Sequence, residues 1–283
     1  MSMQHIAVIG AGTMGNGIAQ VCAVAGFDVT LLDISDTALE RGMATVRKNL
    51  ERQVTKQTVT AELAEAARGR IRITTDYGQL NGAQLVIEAA TENLELKLRL
   101  LKQIASHVDR DCVIASNTSS LSITQLAASV EHPDRFIGLH FFNPVPMMNL
   151  IEVIRGLQTA DTTHIAAIKL AERLNKTAIT AGNRPGFVVN RILVPMINEA
   201  ILVLQEGLAT AQDIDDGMRL GCNQPIGPLA LADLIGLDTL LAIVEAFHEG
   251  FNDSKYRPAP LLKEMVAAGY LGRKTGRGFF VYN

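Results

Sequence analysis

The sequence predicts an α/β protein: a doubly wound, mostly parallel sheet of the Rossmann type, followed by an all-helical C-terminal domain. Two observations support this prediction. Up to residue 184, short apolar β runs alternate with helical patterns, and the first run ends in a glycine-rich turn. Beyond the turn-rich break Gly182–Gly186, strand patterns are scarce and helical patterns dominate. We therefore expect a dinucleotide-binding domain over residues 1–184 and a helical domain over residues 185–283, which would carry the substrate cleft and a dimer contact.

Composition excludes several classes of protein. A hydrophobic content of 48% with 19% charged residues is typical of a globular chain. A net charge of −3 gives no reason to expect nucleic acid as a partner. No apolar run reaches the ~20 residues that span a membrane, and the first β run begins almost at the N-terminus, so we expect a cytoplasmic protein without a targeting segment. The cysteines, Cys22, Cys112 and Cys222, lack metal-ligand spacing, and we expect no metal.

The first β run, His5–Gly10, leads into a complete dinucleotide fingerprint. A helical pattern over Ile18–Ala25 follows the turn, and a second β run, Asp28–Leu32, ends at Asp33. Glycines allow a tight turn close to a pyrophosphate, and the helix N-terminus offers N–H groups to that anion. A carboxylate at position 33 can bind ribose hydroxyls and would repel a 2′-phosphate, which favours NAD. The predicted turn residues are Gly10, Ala11, Gly12, Thr13, Met14 and Gly15.

Two helical patterns, Asp36–Lys56 and Ala61–Arg68, form an insertion longer than the usual crossover. The polar face of the first carries Arg47, Lys48, Arg52 and Lys56. A solvated helix face is one interpretation, and a basic surface for a phosphorylated ligand is the other.

Polar residues follow the next β runs. The runs are Ile71–Thr75, Leu85–Ala89 and Cys112–Ser116, and a helical pattern over Leu94–Val108 separates the last two. Open α/β sheets bind ligands at the carboxyl ends of their strands. Helix capping and ligand contact are equally good interpretations of Ser119. The two polar segments are Ala90-Thr91-Glu92-Asn93 and Asn117-Thr118-Ser119-Ser120.

Two further β runs, Phe136–Phe141 and Leu150–Ile154, are joined by a loop too short for a helical crossover, so we expect an antiparallel pair. A loop centred on Pro146 places His140 opposite Glu152, with Cβ atoms roughly 5 Å apart. An imidazole beside a carboxylate is the arrangement of an oriented general acid/base. A strand-end histidine with a solvated carboxylate is the alternative, because paired charges are often structural.

A helix over Asp161–Leu174 and a short strand, Ala178–Thr180, complete the first domain. The helix from Phe187 is apolar nearly all round, which predicts burial on every side, and Asn190 is its polar exception. The predicted helices beyond the break are Phe187–Gln205, Thr210–Leu220, Leu229–Leu234, Asp238–Phe247 and Pro260–Ala268.

The predicted dinucleotide turn and the predicted His140/Glu152 pair together suggest hydride transfer at an alcohol carbon: the nicotinamide would take the hydride and the histidine the hydroxyl proton.

Six motifs spread over the chain are similar to those of the 3-hydroxyacyl-CoA dehydrogenase family. HFFNPVP followed by EVI is more specific to that family than the glycine turn. The matching segments are Ile9–Gly15, Ile87–Asn93, Ser116–Thr124, His140–Gly156, Pro185–Ala200 and Leu271–Phe280.

The resemblance implies a role for each matching residue. His140 resembles the family's general acid/base, Glu152 its paired carboxylate, Ser119 the residue that bonds the 3-oxygen, and Asn190 the residue that orients the acyl group. Expected cofactor contacts beyond the turn and Asp33 are Glu92, Lys97, Asn117, Ser119 and Lys274, and expected CoA contacts are Lys56 and Arg52.

The implied reaction is the NAD-dependent, reversible oxidation of a short-chain (S)-3-hydroxyacyl-CoA, with 3-hydroxybutyryl-CoA as the expected substrate, by a homodimer joined through the helical domain. One alternative is a dehydrogenase of the same superfamily that acts on a hydroxy acid or sugar acid. Another is a non-catalytic, crystallin-like protein on this fold. Acyl chain length and pathway stay open.

Overall fold

The computed structural model describes residues 3–282. The chain divides into two compact units, Met1–Arg184 and Pro185–Asn283. The domain limits at residues 1 and 283 lie outside the described residues. Each unit has its own hydrophobic core, built around the sheet in the first unit and around the helices in the second.

The first unit contains an eight-stranded sheet in the order β3-β2-β1-β4-β5-β6-β7-β8. All neighbouring strands are parallel except β6 and β7, which are antiparallel. The predicted doubly wound, mostly parallel sheet is therefore confirmed. The strands are β1 His5–Ile9, β2 Asp28–Leu32, β3 Ile71–Thr74, β4 Leu85–Glu88, β5 Val113–Ser116, β6 Phe136–Phe141, β7 Leu150–Arg155 and β8 Thr177–Gly182.

Helices pack against the sheet in the first unit and against one another in the second. Helices of the first unit are α1 Thr13–Val24, α2 Asp36–Thr55, α3 Ala61–Arg70, α4 Leu94–Ala105, α5 Ile123–Ala127 and α6 Asp161–Arg173. Those of the second unit are α7 Val189–Gln205, α8 Ala211–Gly221, α9 Pro228–Ile235, α10 Leu237–Phe251 and α11 Pro260–Ala267. None of the helices within residues 3–282 is long and apolar enough to cross a membrane.

The central strands are apolar because both faces of the sheet are covered. Strand β6 is buried at every position, and so is β4. Parallel sheets covered on both faces have such near-continuous apolar strands. The order 3-2-1-4 places the loops after β1 and β4 side by side, where connections leave the sheet in opposite directions. Such a switch point forms a ligand crevice at the carboxyl ends of the strands.

The ends of several elements differ from the sequence prediction for local reasons. Helix α4 ends at Ala105: the Ser106 N–H still makes a helical bond to the Lys102 carbonyl at 3.2 Å, but the next N–H, that of His107, bonds to the Ile104 carbonyl at 3.0 Å and tightens the chain into a turn. Helix α10 continues to Phe251, where Asn252 adopts a left-handed conformation with φ 49° and ends it. Helix α7 starts at Val189, two residues late, because Phe187 also lies in the left-handed region with φ 50°.

The prediction that the helix from Phe187 is buried on every side is wrong within one chain. Val194, Ile197 and Ile201 of α7 point into the core of the second unit. Ile192, in contrast, is 68% exposed. Helix α7 therefore buries one of its apolar faces against its own domain and leaves the face with Ile192 exposed.

Candidate active site

The turn between β1 and α1 packs so closely on the neighbouring backbone that two of its positions have room only for glycine. Gly10 has φ +99°, and a Cβ added there would lie 2.7 Å from the Ala90 Cα. A Cβ added at Gly15 would lie 1.7 Å from the carbonyl oxygen of Gly10. Side chains at either position would force the turn apart, which is why the spacing of these glycines matters.

The same turn is open on its outer side. Gly12 is exposed, and a Cβ there would meet nothing within 4 Å. Gly12 is also the N-cap of α1, and no side chain caps the helix at this end. The first N–H groups of α1, at Thr13 and Met14, are therefore available to an anion at the positive end of the helix dipole. This donor set fits the pyrophosphate of a dinucleotide.

Asp33 lies at the end of β2, beside the turn, and two backbone N–H groups hold its carboxylate. Its Oδ2 accepts a hydrogen bond from the Ala11 N–H at 2.8 Å, and its Oδ1 accepts one from the Ser35 N–H at 3.1 Å. An oriented carboxylate with remaining lone pairs can accept from the two hydroxyls of a ribose.

A cavity of about 180 Å³ lies next to Asp33. Its largely apolar walls fit a flat ring such as adenine, stacked beside the ribose site. The sequence analysis did not single out the apolar residues here, although one signal was present: an apolar residue, Ile34, directly follows the acid. In the structure its side chain is 86% exposed. The lining residues are Ile9, Gly10, Leu32, Asp33, Ile34, Tyr77, Ala90, Thr91, Leu96 and Leu100.

Replacing Asp33 with alanine is expected to weaken NADH binding by about tenfold or more, since hydrogen bonds to a charged group contribute about 1.5–3 kcal/mol. Affinity for NADPH should fall less, because the repulsion of a 2′-phosphate is also removed. Fluorescence titration with both cofactors measures this ratio, with Asp36→Ala at an exposed neighbouring position as control. An unchanged ratio of NADH to NADPH affinity would remove Asp33 from cofactor selection.

The loops that follow β4 and β5 are joined through Glu92. Its Oε2 accepts from the Thr118 hydroxyl at 2.7 Å, and its Oε1 accepts from the Ser119 N–H at 2.7 Å and the Ser119 hydroxyl at 3.0 Å. The structure thus brings together Glu92 and Ser119, two predicted site residues that are 27 positions apart in the chain.

Lys97 differs from the other predicted cofactor residues. Its side chain is only 1% exposed, and its ammonium pairs with the fully buried Glu88 and donates to the Ser116 hydroxyl at 3.2 Å. Glu88 in turn accepts from the Ala90 N–H at 2.9 Å, which holds the loop next to Gly10. The structure therefore places Lys97 as a buried partner of Glu88, and its contact with a cofactor stays a prediction.

His140 and Glu152 lie opposite each other on the antiparallel strands β6 and β7, which confirms the predicted register. The His140 Nδ1 lies 2.7 Å from the Glu152 Oε2. His140 is 6% exposed and Glu152 is fully buried. An ionised carboxylate can only accept a hydrogen bond, so Nδ1 is the donor and the ring is held in one orientation.

Asn117 connects this pair to the neighbouring strand. Its side-chain oxygen accepts the Phe141 N–H at 2.8 Å, directly beyond His140. Asn117 is 8% exposed. Its oxygen therefore stabilises the end of β6, and the predicted cofactor contact of this residue stays a prediction.

The second unit holds two predicted site residues. Asn190 is the second residue of α7, and the next residue, Arg191, stacks its guanidinium over Phe251 at 3.7 Å from the ring centroid. The Lys274 ammonium lies 2.5 Å from the Asp238 Oδ1, and this hydrogen bond lowers the pKa of Asp238 below its ordinary value. Both Lys274 and Asp238 are about half exposed.

The two predicted CoA contacts lie on α2. Arg52 belongs to its last turn and Lys56 is its C-cap. Both side chains are exposed. Over residues 3–282, no group of three or more His, Cys, Asp or Glu side chains could hold a metal ion.

A dinucleotide turn and an oriented His/Glu pair on one mostly parallel sheet are the arrangement expected of a dinucleotide-dependent dehydrogenase. Comparison with known proteins gives the family. Residues 5–184 match the model "3-hydroxyacyl-CoA dehydrogenase, NAD binding domain", and residues 186–282 match the C-terminal domain of the same family. The chain belongs to the 3-hydroxyacyl-CoA dehydrogenase family and is an NAD-dependent oxidoreductase.

Individual relatives are similar over at least nine-tenths of their length. A 3-hydroxybutyryl-CoA dehydrogenase of Bradyrhizobium diazoefficiens is 50% identical, over 99% of this chain and 96% of the relative. The crystal structure of an (S)-3-hydroxybutyryl-CoA dehydrogenase from Ralstonia eutropha is 59% identical, with a TM-score of 0.98 and full coverage of both chains. An NAD⁺-dependent dismutase that is a 5-dehydrogenase of a pyridine carboxylic acid is 32% identical, with a TM-score of 0.82 and coverage of 100% and 92%.

Proposed function

We propose that this enzyme catalyses the reversible oxidation of (S)-3-hydroxybutyryl-CoA, and of short-chain homologues, to the 3-oxoacyl-CoA with NAD. The buried His140–Glu152 pair, on the same sheet as the dinucleotide turn, is the observation that carries this proposal. Two relatives named for 3-hydroxybutyryl-CoA support the substrate, and the name of the Ralstonia eutropha protein supports the S configuration.

His140 is the proposed general acid/base. With Nδ1 directed at Glu152, Nε2 is the ring nitrogen that takes the proton of the 3-hydroxyl as its O–H bond breaks. Bound NAD would supply the hydride acceptor for carbon 3, the carbon that bears this hydroxyl. Glu152 stabilises the imidazolium that forms and keeps the ring from turning. In the reverse direction the same imidazolium returns its proton to the 3-oxo oxygen.

The remaining predicted residues have proposed binding roles. Ser119 follows β5, and β5 pairs with β6 in parallel, so its loop leaves the sheet at the same edge as the His140 end of β6. We assign Ser119 to the 3-oxygen and Asn190 to the acyl group. The exposed cations Arg52 and Lys56 are assigned to the phosphates of CoA. The other proposed cofactor contacts are Glu92, Lys97, Asn117 and Lys274.

The experiment compares acetoacetyl-CoA with free acetoacetate as oxidants of NADH. Turnover with the thioester, and at least ~100-fold less with the free acid at equal concentration, is expected, because the CoA portion supplies binding energy that the free acid lacks. The 32% identical dismutase, named for a pyridine carboxylic acid, makes a free carboxylate the alternative worth testing. Activity on the free acid and none on the thioester would replace the proposed function with a hydroxyacid or sugar-acid dehydrogenase.

We further propose a cytoplasmic homodimer, joined through the second unit. The exposed Ile192 of α7 supports such a contact, since a helix that is apolar nearly all round is expected to be buried on every side and its own domain leaves this side chain uncovered. Light scattering should give twice the mass of one chain, and Ile192→Glu should shift it toward the monomer. Ile165→Glu, at a half-exposed position of α6, is the control and should leave the mass unchanged. A monomeric wild type would contradict the dimer.

A further inference from the structure

Glu92 holds Ser119 through two hydrogen bonds to one oxygen, at 2.7 Å from the backbone N–H and 3.0 Å from the hydroxyl. The other oxygen accepts from Thr118 at 2.7 Å. Thr118 is 1% exposed, and its own oxygen accepts the Leu121 N–H at 3.0 Å. The hydrogen bond from Thr118 is therefore a fixed anchor for Glu92. The hydrogen bond from the Ser119 hydroxyl is the longest of the three, and this hydroxyl can turn away by rotation about the Cα–Cβ bond of Ser119.

This contact decides what Ser119 can offer a substrate. A serine hydroxyl has one hydrogen, and here that hydrogen points at a carboxylate, which can only accept. Ser119 can then accept a hydrogen bond from a 3-hydroxyl group, but it cannot donate to a 3-oxo group. A hydrogen bond from Ser119 to the 3-oxo group requires the Ser119 hydroxyl to leave Glu92.

Glu92 also lies along the dinucleotide crevice. It is exposed and follows Ala90 and Thr91, which line the cavity beside Gly10 and Asp33. A carboxylate offers about four lone-pair positions, and three are occupied by Thr118 and Ser119. One position is left for the first hydroxyl of a ribose in this crevice, so the second hydroxyl of its diol would compete with the Ser119 hydroxyl for the same carboxylate.

We propose that Glu92 is a positioning residue that couples the two binding sites: a cofactor hydroxyl that donates to Glu92 releases the Ser119 hydroxyl to donate to the 3-oxygen of the substrate. This inference rests on the proposed function and adds to it that binding of the cofactor and binding of the 3-oxo substrate are coupled. Bound cofactor increases the affinity for the 3-oxoacyl-CoA, and by thermodynamic linkage the 3-oxoacyl-CoA increases the affinity for the cofactor by the same factor.

Calorimetric titration of acetoacetyl-CoA, with and without saturating NAD⁺, measures this coupling. Both ligands are oxidised, so no turnover occurs during the titration. For the wild type, NAD⁺ should tighten acetoacetyl-CoA binding on the order of 5- to 10-fold. In Glu92→Gln the coupling should fall below about 2-fold, because a neutral amide competes less for either hydroxyl. The Ser119→Ala variant, which retains the carboxylate, should show a ratio near one.

Glu95→Gln is the matched control, since Glu95 is an exposed acid three residues further on, in the first turn of α4. This variant should keep the wild-type ratio. A wild-type ratio of one, or wild-type coupling in Ser119→Ala, would overturn the inference. Neither result touches the proposed function, which fails only if the wild type does not oxidise NADH with acetoacetyl-CoA.

Discussion

Replacing His140 with glutamine is expected to lower kcat for acetoacetyl-CoA reduction by about 10²–10⁴-fold, the range that a positioned general acid/base contributes. Glutamine keeps a polar side chain of similar reach but cannot carry the transferred proton at neutral pH. The affinity for NADH should stay within about 3-fold of the wild type, because the dinucleotide turn belongs to β1 and α1. Steady-state kinetics and NADH fluorescence titration measure the two quantities separately.

His164→Gln is the control for this substitution. His164 lies on α6, and its Nε2 lies 2.9 Å from the Thr180 hydroxyl. Its replacement should leave kcat unchanged. Equal turnover of the wild type and the His140 variant would remove His140 from the mechanism, whatever the control shows.

Replacing Glu152 with glutamine is expected to lower kcat by about 10²-fold or more, by weakening the action of His140. The amide is neutral and can donate as well as accept, so it neither stabilises an imidazolium nor keeps the hydrogen on Nδ1. The pH profile of kcat for alcohol oxidation should also differ from that of the wild type, because the carboxylate that is hydrogen-bonded to the proton-accepting ring is gone. Kinetics between pH 5 and pH 9 measure this difference.

Glu152 is fully buried, so folding needs its own control. Glutamine is close to isosteric, and the variant should unfold on heating with the same cooperative transitions as the wild type. Glu172→Gln, at an exposed position of α6, controls for the loss of one acid and should leave the profile in place. A Glu152 variant that is folded and has the wild-type pH profile would mean that the pair is structural.

The opposition of His140 and Glu152 could be predicted because it depends only on local features. A short loop forces an antiparallel pair, and its centre sets the register, so the facing residues follow from positions in the chain. The fingerprint turn could be predicted equally well, since it is a local pattern, and two of its glycines, Gly10 and Gly15, lie where an added Cβ would come within 2.7 Å of the neighbouring backbone. These features are short-range, and each depends on a few residues.

The hydrogen bonds between Ser119 and Glu92 could not be predicted in the same way. Capping and ligand contact were equally plausible for Ser119, and neither included Glu92, because the bond depends on how two loops 27 residues apart leave the sheet. The burial of Lys97 was missed for a related reason. A cation in the first turn of a helix suggests a solvent-facing donor, and only the neighbouring strand supplies the carboxylate of Glu88 that keeps it inside.

Helix α7 shows a different limit of the sequence pattern. Apolar residues all round a helix predict burial but do not say by what. Its inner face packs in the core of the second unit, whereas Ile192 stays exposed in the single chain. The pattern alone cannot separate a core of the same domain from a surface that another chain covers.

A double-mutant cycle on kcat tests whether His140 and Glu152 act as one unit. The cycle compares the wild type, His140→Gln, Glu152→Gln and the variant with both changes, using acetoacetyl-CoA and NADH under saturating conditions. Residues that act through one another give non-additive losses. We predict that the double variant loses no more than about 3-fold beyond His140→Gln alone, because Glu152 acts only through the imidazole. Losses that multiply in the double variant would show that the two residues act independently and would contradict the pair.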